Sequence, residues 1–257
     1  MSVRLTIQDH VARVTLARPD SLNAVDSATR EELLAIWSQL EASTDVRVIV
    51  LTGEGDRAFC AGADLKEEGK HGLDYWADPT PGGFGGIALR TTLNIPIIAR
   101  VNGYALGGGF EMMLGADIVV AVDDAKLGLP EPRVGHLPLD GGIALLQRQI
   151  PFRQAMAILL TGRPISANEA LTMGLINEVV PRSELDDAVD RWVKAILACS
   201  PTSLQAIKQC VRNTTTLSPI EAQSARLPAL MKALQSEDSQ EGVRAFREKR
   251  PPVWTGR

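Results

Sequence analysis

Two stretches that are apolar at most positions, "VRVIVLTG" at 46–53 and "IPIIARVNGYAL" at 95–106, constrain the fold more than anything else in the chain. A strand with one wet face alternates apolar and polar residues. A continuous apolar run suits a strand covered on both faces, hence a parallel sheet packed between helices. Ahead of the first run, "ATREELLAIWSQLEAS" sets Leu33, Leu34, Ile36, Trp37 and Leu40 along one side of a helix that Asp26 or Ser27 can cap. Val3 to Ile7 and Val11 to Leu16 alternate around "QDH" and read as an opening hairpin. "AFCAGADL" reads as a short strand entering a glycine turn, and "DIVVAV" and "AKLGLPE" as further short strands. The fold class is α/β.

From about residue 143 the pattern turns helical. "SANE" at Ser166 to Glu169 and "SPIE" at Ser218 to Glu221 fit capping boxes, the second with Pro219 at the first helical position. Ala206, Ile207, Cys210 and Val211, and again Leu227, Leu230, Met231 and Leu234, recur at helical spacing. Such faces suit packing on the body of the chain or on a partner subunit. Residues 66–86, rich in Gly and Pro, read as a surface loop or lid.

Composition excludes several functions. A net charge of −4 and a pI near 5.5 supply no global field for nucleic acid or anionic membranes. The N-terminus lacks an apolar targeting segment and no run approaches ~18 apolar residues, so a cytoplasmic protein without a membrane span is expected. Cys60, Cys199 and Cys210 lack disulfide or zinc-ligand spacing and are expected to be buried thiols; His10, His71 and His136 are scattered. No metal site is expected, and chemistry falls to carboxylates and backbone.

The second apolar run ends in "GGGFEMML". Gly107, Gly108 and Gly109 are costly inside a helix and suit a place where bare backbone is wanted. A strand turning through glycines into a helix points free N–H groups at an anion. A phosphate loop would need the GxxxxGK[ST] or GxGxxG spacing, which is missing. An oxyanion hole needs only two convergent amides, and "CAGAD" supplies a second glycine turn at the end of another strand. Glu111 can return to the side of the Gly108 amide, or simply cap the helix. Glu131, between prolines in "GLPEPRVG", is either a surface carboxylate or the second member of a catalytic pair.

Together, "AFCAGADLKE", "NGYALGGGFEMMLGADIVVA", "LGLPEPRVG" and "EGVRAFREKRPPVWTGR", in that order, resemble the crotonase (enoyl-CoA hydratase/isomerase) superfamily, most closely its enoyl-CoA hydratases. The resemblance implies a spiral of ββα units over residues 1–195, and a helical region over 196–257 that covers the site and builds trimers or a dimer of trimers. It implies acyl-CoA thioesters as substrates and no cofactor beyond the coenzyme A they carry. Ala63 and Gly108 match the family's oxyanion amides, and Glu111 and Glu131 its two catalytic glutamates, Glu111 acting on the water at C3 and Glu131 on the proton at C2. Ala61, Asp64, Leu65 and Lys66 fall in the substrate-binding turn. Lys66, Arg247, Lys249 and Arg250 either reach the nucleotide or are solvated surface charges. Where the hydratases read Pro, Gly, Ala, Gly, Gly, this chain has Pro138, Leu139, Asp140, Gly141, Gly142. Leu139 keeps an amide for the water, and Asp140 brings a third carboxylate. Tyr75, Trp76 and Phe84 are expected to shape the acyl pocket. Rival readings are enoyl-CoA isomerisation, carnitinyl-CoA-like dehydration, and a non-catalytic RNA-binding relative. The first helix, with three glutamates and one arginine in "ATREELLAIWSQLE", lacks the charge for the last of these.

Overall fold

The computed structural model describes residues 1–67 and 72–257; residues 68–71, including His71 and part of the expected 66–86 loop, lie outside the described residues. Strands β1 (Val3–Gln8) and β2 (Val11–Leu16) form the opening antiparallel hairpin. Helix α1 (Ser27–Glu41) is capped by Asp26, whose carboxylate accepts from the Thr29 amide. Then β3 (Val48–Gly53) and β4 (Ala58–Cys60) lead to the short helix α2 (Gly72–Ala77).

The pattern repeats. Strands β5 (Ile97–Val101) and β6 (Tyr104–Leu106) run into α3 (Gly108–Leu114), and β7 (Ile118–Val122) and β8 (Lys126–Gly128) into a 3₁₀ turn at Glu131–Val134. Each circuit leaves one strand in a larger sheet and one in a smaller, so β3, β5 and β7 lie in the first and β4, β6 and β8 in the second. Next come α4 (Gly142–Gln149), α5 (Phe152–Thr161), β9 (Ile165–Ser166), α6 (Ala167–Thr172), β10 (Glu178–Val180) and α7 (Leu185–Leu197). Helices α8 (Pro201–Thr214), α9 (Pro219–Ser224), α10 (Pro228–Gln235) and α11 (Glu237–Glu248) close the chain.

The larger sheet has the order β1-β2-β3-β5-β7-β10, parallel from β2 onward, and the smaller β4-β6-β8-β9. Burial on both faces explains the continuous runs: Val48 to Leu51 and Ile97 to Ala99 are inaccessible to water. Two-residue β9 and three-residue β10 carry no pattern of their own, and their pairing with β8 and β7 adds strands to a region that reads as wholly helical. Both expected capping boxes form, at Ser166 with Glu169 and at Ser218 with Glu221. Helix α8 is pinned to the body by buried Lys208, whose Nζ donates to the Ile95 carbonyl and pairs with Asp117, both at 2.6 Å.

Two expectations need correction. The 66–86 stretch is not simply a surface loop: α2 forms within it, and Gly85 and Gly86 are buried against Met112 and Leu34, with the Trp37 indole donating to the Gly85 carbonyl at 2.7 Å. The glycines permit this close approach. Of the thiols, Cys60 is buried and pushed up to about 12 by desolvation, but Cys210 is half-buried and Cys199 exposed.

Candidate active site

The register of the smaller sheet builds the site. β4 and β6 are parallel neighbours in which Cys60 pairs with Ala105. Ala63 and Gly108 each lie three residues beyond that pair. The turns leaving the two strands pack together, for a Cβ placed on Gly62 would lie 3.2 Å from the Gly108 nitrogen. Ala63 bridges to Val25 through the Gly62 carbonyl and the Asp64 amide, which turns the Ala63 N–H to the opposite side. Gly108 opens α3, where helix geometry leaves its N–H without a helical acceptor.

Each glycine of the triplet is bare for its own reason. Gly107 has φ +55° and faces the Glu131 carboxylate, a Cβ at Gly108 would stand 2.3 Å from the Phe84 ring, and one at Gly109 would stand 2.1 Å from the Cys60 carbonyl. The first leaves room for the Glu131 carboxylate, the second for the Phe84 ring, and the third lets α3 sit on β4.

Glu111, in the first turn of α3, is 3% exposed, and its Oε1 accepts the Gly142 amide at the start of α4, 2.9 Å away. Burial pushes its carboxyl up to about 8, helped by the charges of Asp140 and Glu131 and opposed by the Gly142 amide. Glu131 opens the 3₁₀ turn after β8. Its Oε2 is buried with no hydrogen-bond partner among the described residues, and burial raises its carboxyl as well. An orphaned buried acceptor is expensive and marks a place awaiting a donor. Two carboxyls able to hold or take a proton thus flank paired backbone donors, an arrangement suited to proton transfer beside a developing oxyanion.

The other expected residues divide. Asp64 is half-buried and held by Arg18 at 2.8 Å, Arg18 also gripping Asp26 at 2.9 Å, so it fastens the turn rather than facing outward. Arg18 itself was not expected in the site. Ala61 is half-buried, its amide spent on the Leu22 carbonyl, while Leu65, 89% exposed, and Lys66 lie at the surface beside the turn. Leu139 is half-buried, and its amide, expected to be free for water, donates to the Leu137 carbonyl at 3.0 Å. Asp140 is buried and accepts from the Tyr75 hydroxyl of α2. Of the tail cations, Arg250 is engaged by Glu241 and Glu248, whereas Arg247 and Lys249 are exposed.

Sequence reasoning also missed Gly142, for which the Gly-Gly pair before a helix was the available signal. It missed Asn23 and Asn102, which share the Ala58 carbonyl at 2.8 and 3.1 Å and fix where β4 begins. No group of three or more candidate metal ligands occurs among the described residues, and among them no helix is long and apolar enough to cross a membrane.

Residues 6–257 match the family model described as enoyl-CoA hydratase/isomerase. The chain belongs to the enoyl-CoA hydratase/isomerase family. Within this crotonase family it is 38% identical over 260 residues to carnitinyl-CoA dehydratase of Proteus mirabilis, covering 100% of this chain and 99% of that one. The same figures hold for carnitinyl-CoA dehydratase of Escherichia coli K12. Among solved structures, enoyl-CoA hydratase from Bacillus anthracis superposes with a TM-score of 0.91 at 32% identity and full coverage of both chains. Enoyl-CoA hydratase from Mycobacterium tuberculosis gives 0.89 at 33%, covering 100% of this chain and 99% of that one. The alternation of strands between two sheets is the crotonase spiral.

Proposed function

We propose that this family member is a hydro-lyase that interconverts 3-hydroxyacyl-CoA and 2-enoyl-CoA thioesters. The observation that carries the reading is a pair of carboxyls, buried Glu111 on the Gly142 amide and half-buried Glu131, whose buried Oε2 has no partner among the described residues, flanking the Ala63 and Gly108 turns. The dehydratase activity that names the carnitinyl-CoA dehydratase relatives supports this reading.

In dehydration, the Glu131 carboxylate removes the proton at C2, and charge moves onto the thioester oxygen, where the Ala63 and Gly108 amides meet it. Glu111 gives its proton to the C3 hydroxyl, which leaves as water as the double bond forms. Hydration reverses each step. Burial leaves the resting proton on Glu111, the state that begins dehydration. A double-bond shift between C2 and C4 would need only one of the two glutamates.

Ala61, Leu65 and Lys66 border the path to the nucleotide, and no cofactor beyond substrate-borne coenzyme A is required. The 196–257 region serves assembly into a trimer or dimer of trimers, presenting exposed Ile207, Val211 and Leu234. The test is turnover of crotonyl-CoA and longer 2-enoyl-CoAs, followed by loss of enoyl-thioester absorbance, with mass analysis detecting the added water. E111Q and E131Q should each lose roughly 10²–10⁴-fold in kcat. Unchanged turnover in both variants would sink the two-glutamate mechanism, and a product of unchanged mass would indicate isomerisation.

A further inference from the structure

Asp140 is a buried carboxylate that the steps above leave unused. It is 6% exposed, stands two residues before the amide that holds Glu111, and among the described residues its side chain receives one hydrogen bond, from the Tyr75 hydroxyl. Its backbone carbonyl accepts the Phe84 amide at 3.4 Å, and the Phe84 ring covers Gly108. The 72–86 segment therefore meets Asp140 twice and the Gly108 turn once. A charge this deep is expensive, and a neutral side chain would fill the space at lower cost.

We propose that Asp140 and Tyr75 form a positioning pair for Glu111: the Asp140 carboxylate stands against the Glu111 carboxyl so that the proton destined for the C3 oxygen stays there, while the Tyr75 hydroxyl aims Asp140. The inference rests on the hydro-lyase reading. Among the described residues, the titratable groups facing Glu111 are Asp140 from the turn before α4, Glu131 from the 3₁₀ turn and Tyr75 from α2; the backbone amides of Gly142 and Asp140 oppose them. Arg30 of α1 acts on Asp140 and Tyr75, and with the Tyr75 hydroxyl it counters the cost that burial places on the Asp140 charge. Burial remains the largest cause of the raised Glu111 carboxyl, and the Asp140 charge adds to it.

The experiment compares D140N and Y75F with the parent protein in kcat/KM against pH for crotonyl-CoA. In either direction of reaction this profile reports ionisations of the free enzyme. The alkaline limb, near pH 8 in the parent, should move down by roughly one pH unit in both variants. The double variant should move no further than either single one, because Tyr75 acts through Asp140. Carboxyl-carbon NMR titration of Glu111 in the free protein should show the same displacement without any turnover. If crotonyl-CoA and its homologues are not converted, the hydro-lyase reading fails and the NMR titration still decides the pair. Unchanged Glu111 titration in both variants overturns the proposal. So does loss of turnover at every pH in D140N, which would make Asp140 a reacting group.

Discussion

Burying Glu111 beside Asp140 and Glu131 makes its ionised form costly, so the folded chain keeps a proton that the unfolded chain has released. Its carboxyl lies near 4.5 when unperturbed and near 8 in the fold. Folding stability therefore falls as pH rises between those values, because the native state binds the extra proton. E111Q removes the ionisation and keeps an oxygen for the Gly142 amide. At pH 9 it should be more stable than the parent by a few kcal/mol, at about 1.4 kcal/mol per pH unit. At pH 4 the gain should vanish, and thermal unfolding at the two values checks the difference. At this scale the triple glycine was legible as a call for bare backbone, whereas for Glu111 a helix cap and for Glu131 a surface carboxylate stayed open until the family's motifs paired them. The Arg18 grip on Asp64 was not, since nothing local in the sequence brings residues 18 and 64 together.

α3 is buried at every position, and its seating depends on Gly109 lying against the Cys60 carbonyl. A methyl there has no room to move into, since its neighbour is the backbone of the fully buried strand β4. G109A should cost roughly 1–3 kcal/mol or more, seen as a lower Tm, with the Glu111 and Gly108 alignment disturbed as well. Elements of this kind were readable from sequence because long apolar runs and capping residues declare themselves locally. α2, β9 and β10 were not readable. α2 grows from a Gly- and Pro-rich stretch whose local chemistry favours turns, while β9 and β10 are too short to show a period and exist because β8 and β7 offer free edges.

For the whole molecule, Ile207, Val211 and Leu234 of the C-terminal helices are exposed, as are Phe152 and Leu160 of α5, and such faces suit packing on a partner subunit. Sedimentation should give a mass of about three or six times 27.7 kDa, and a monomer at micromolar concentration would remove the assembly role of the 196–257 region. The spiral itself was legible through the family's motifs, whereas which apolar faces meet a partner depends on surfaces that periodicity cannot distinguish. The circuits of that spiral also set a dimension of the site. Ala63 and Gly108 each stand three residues beyond a paired position on adjacent parallel strands, in turns that pack together, so the spacing of their amides follows from that packing. The neighbouring strands thus act as a jig that holds two turns side by side, and the turns finish the spacing. Substitutions in 72–86 and 138–142 that spare Phe84 should therefore alter which acyl-CoA is turned over while the Ala63 and Gly108 turns stay in place.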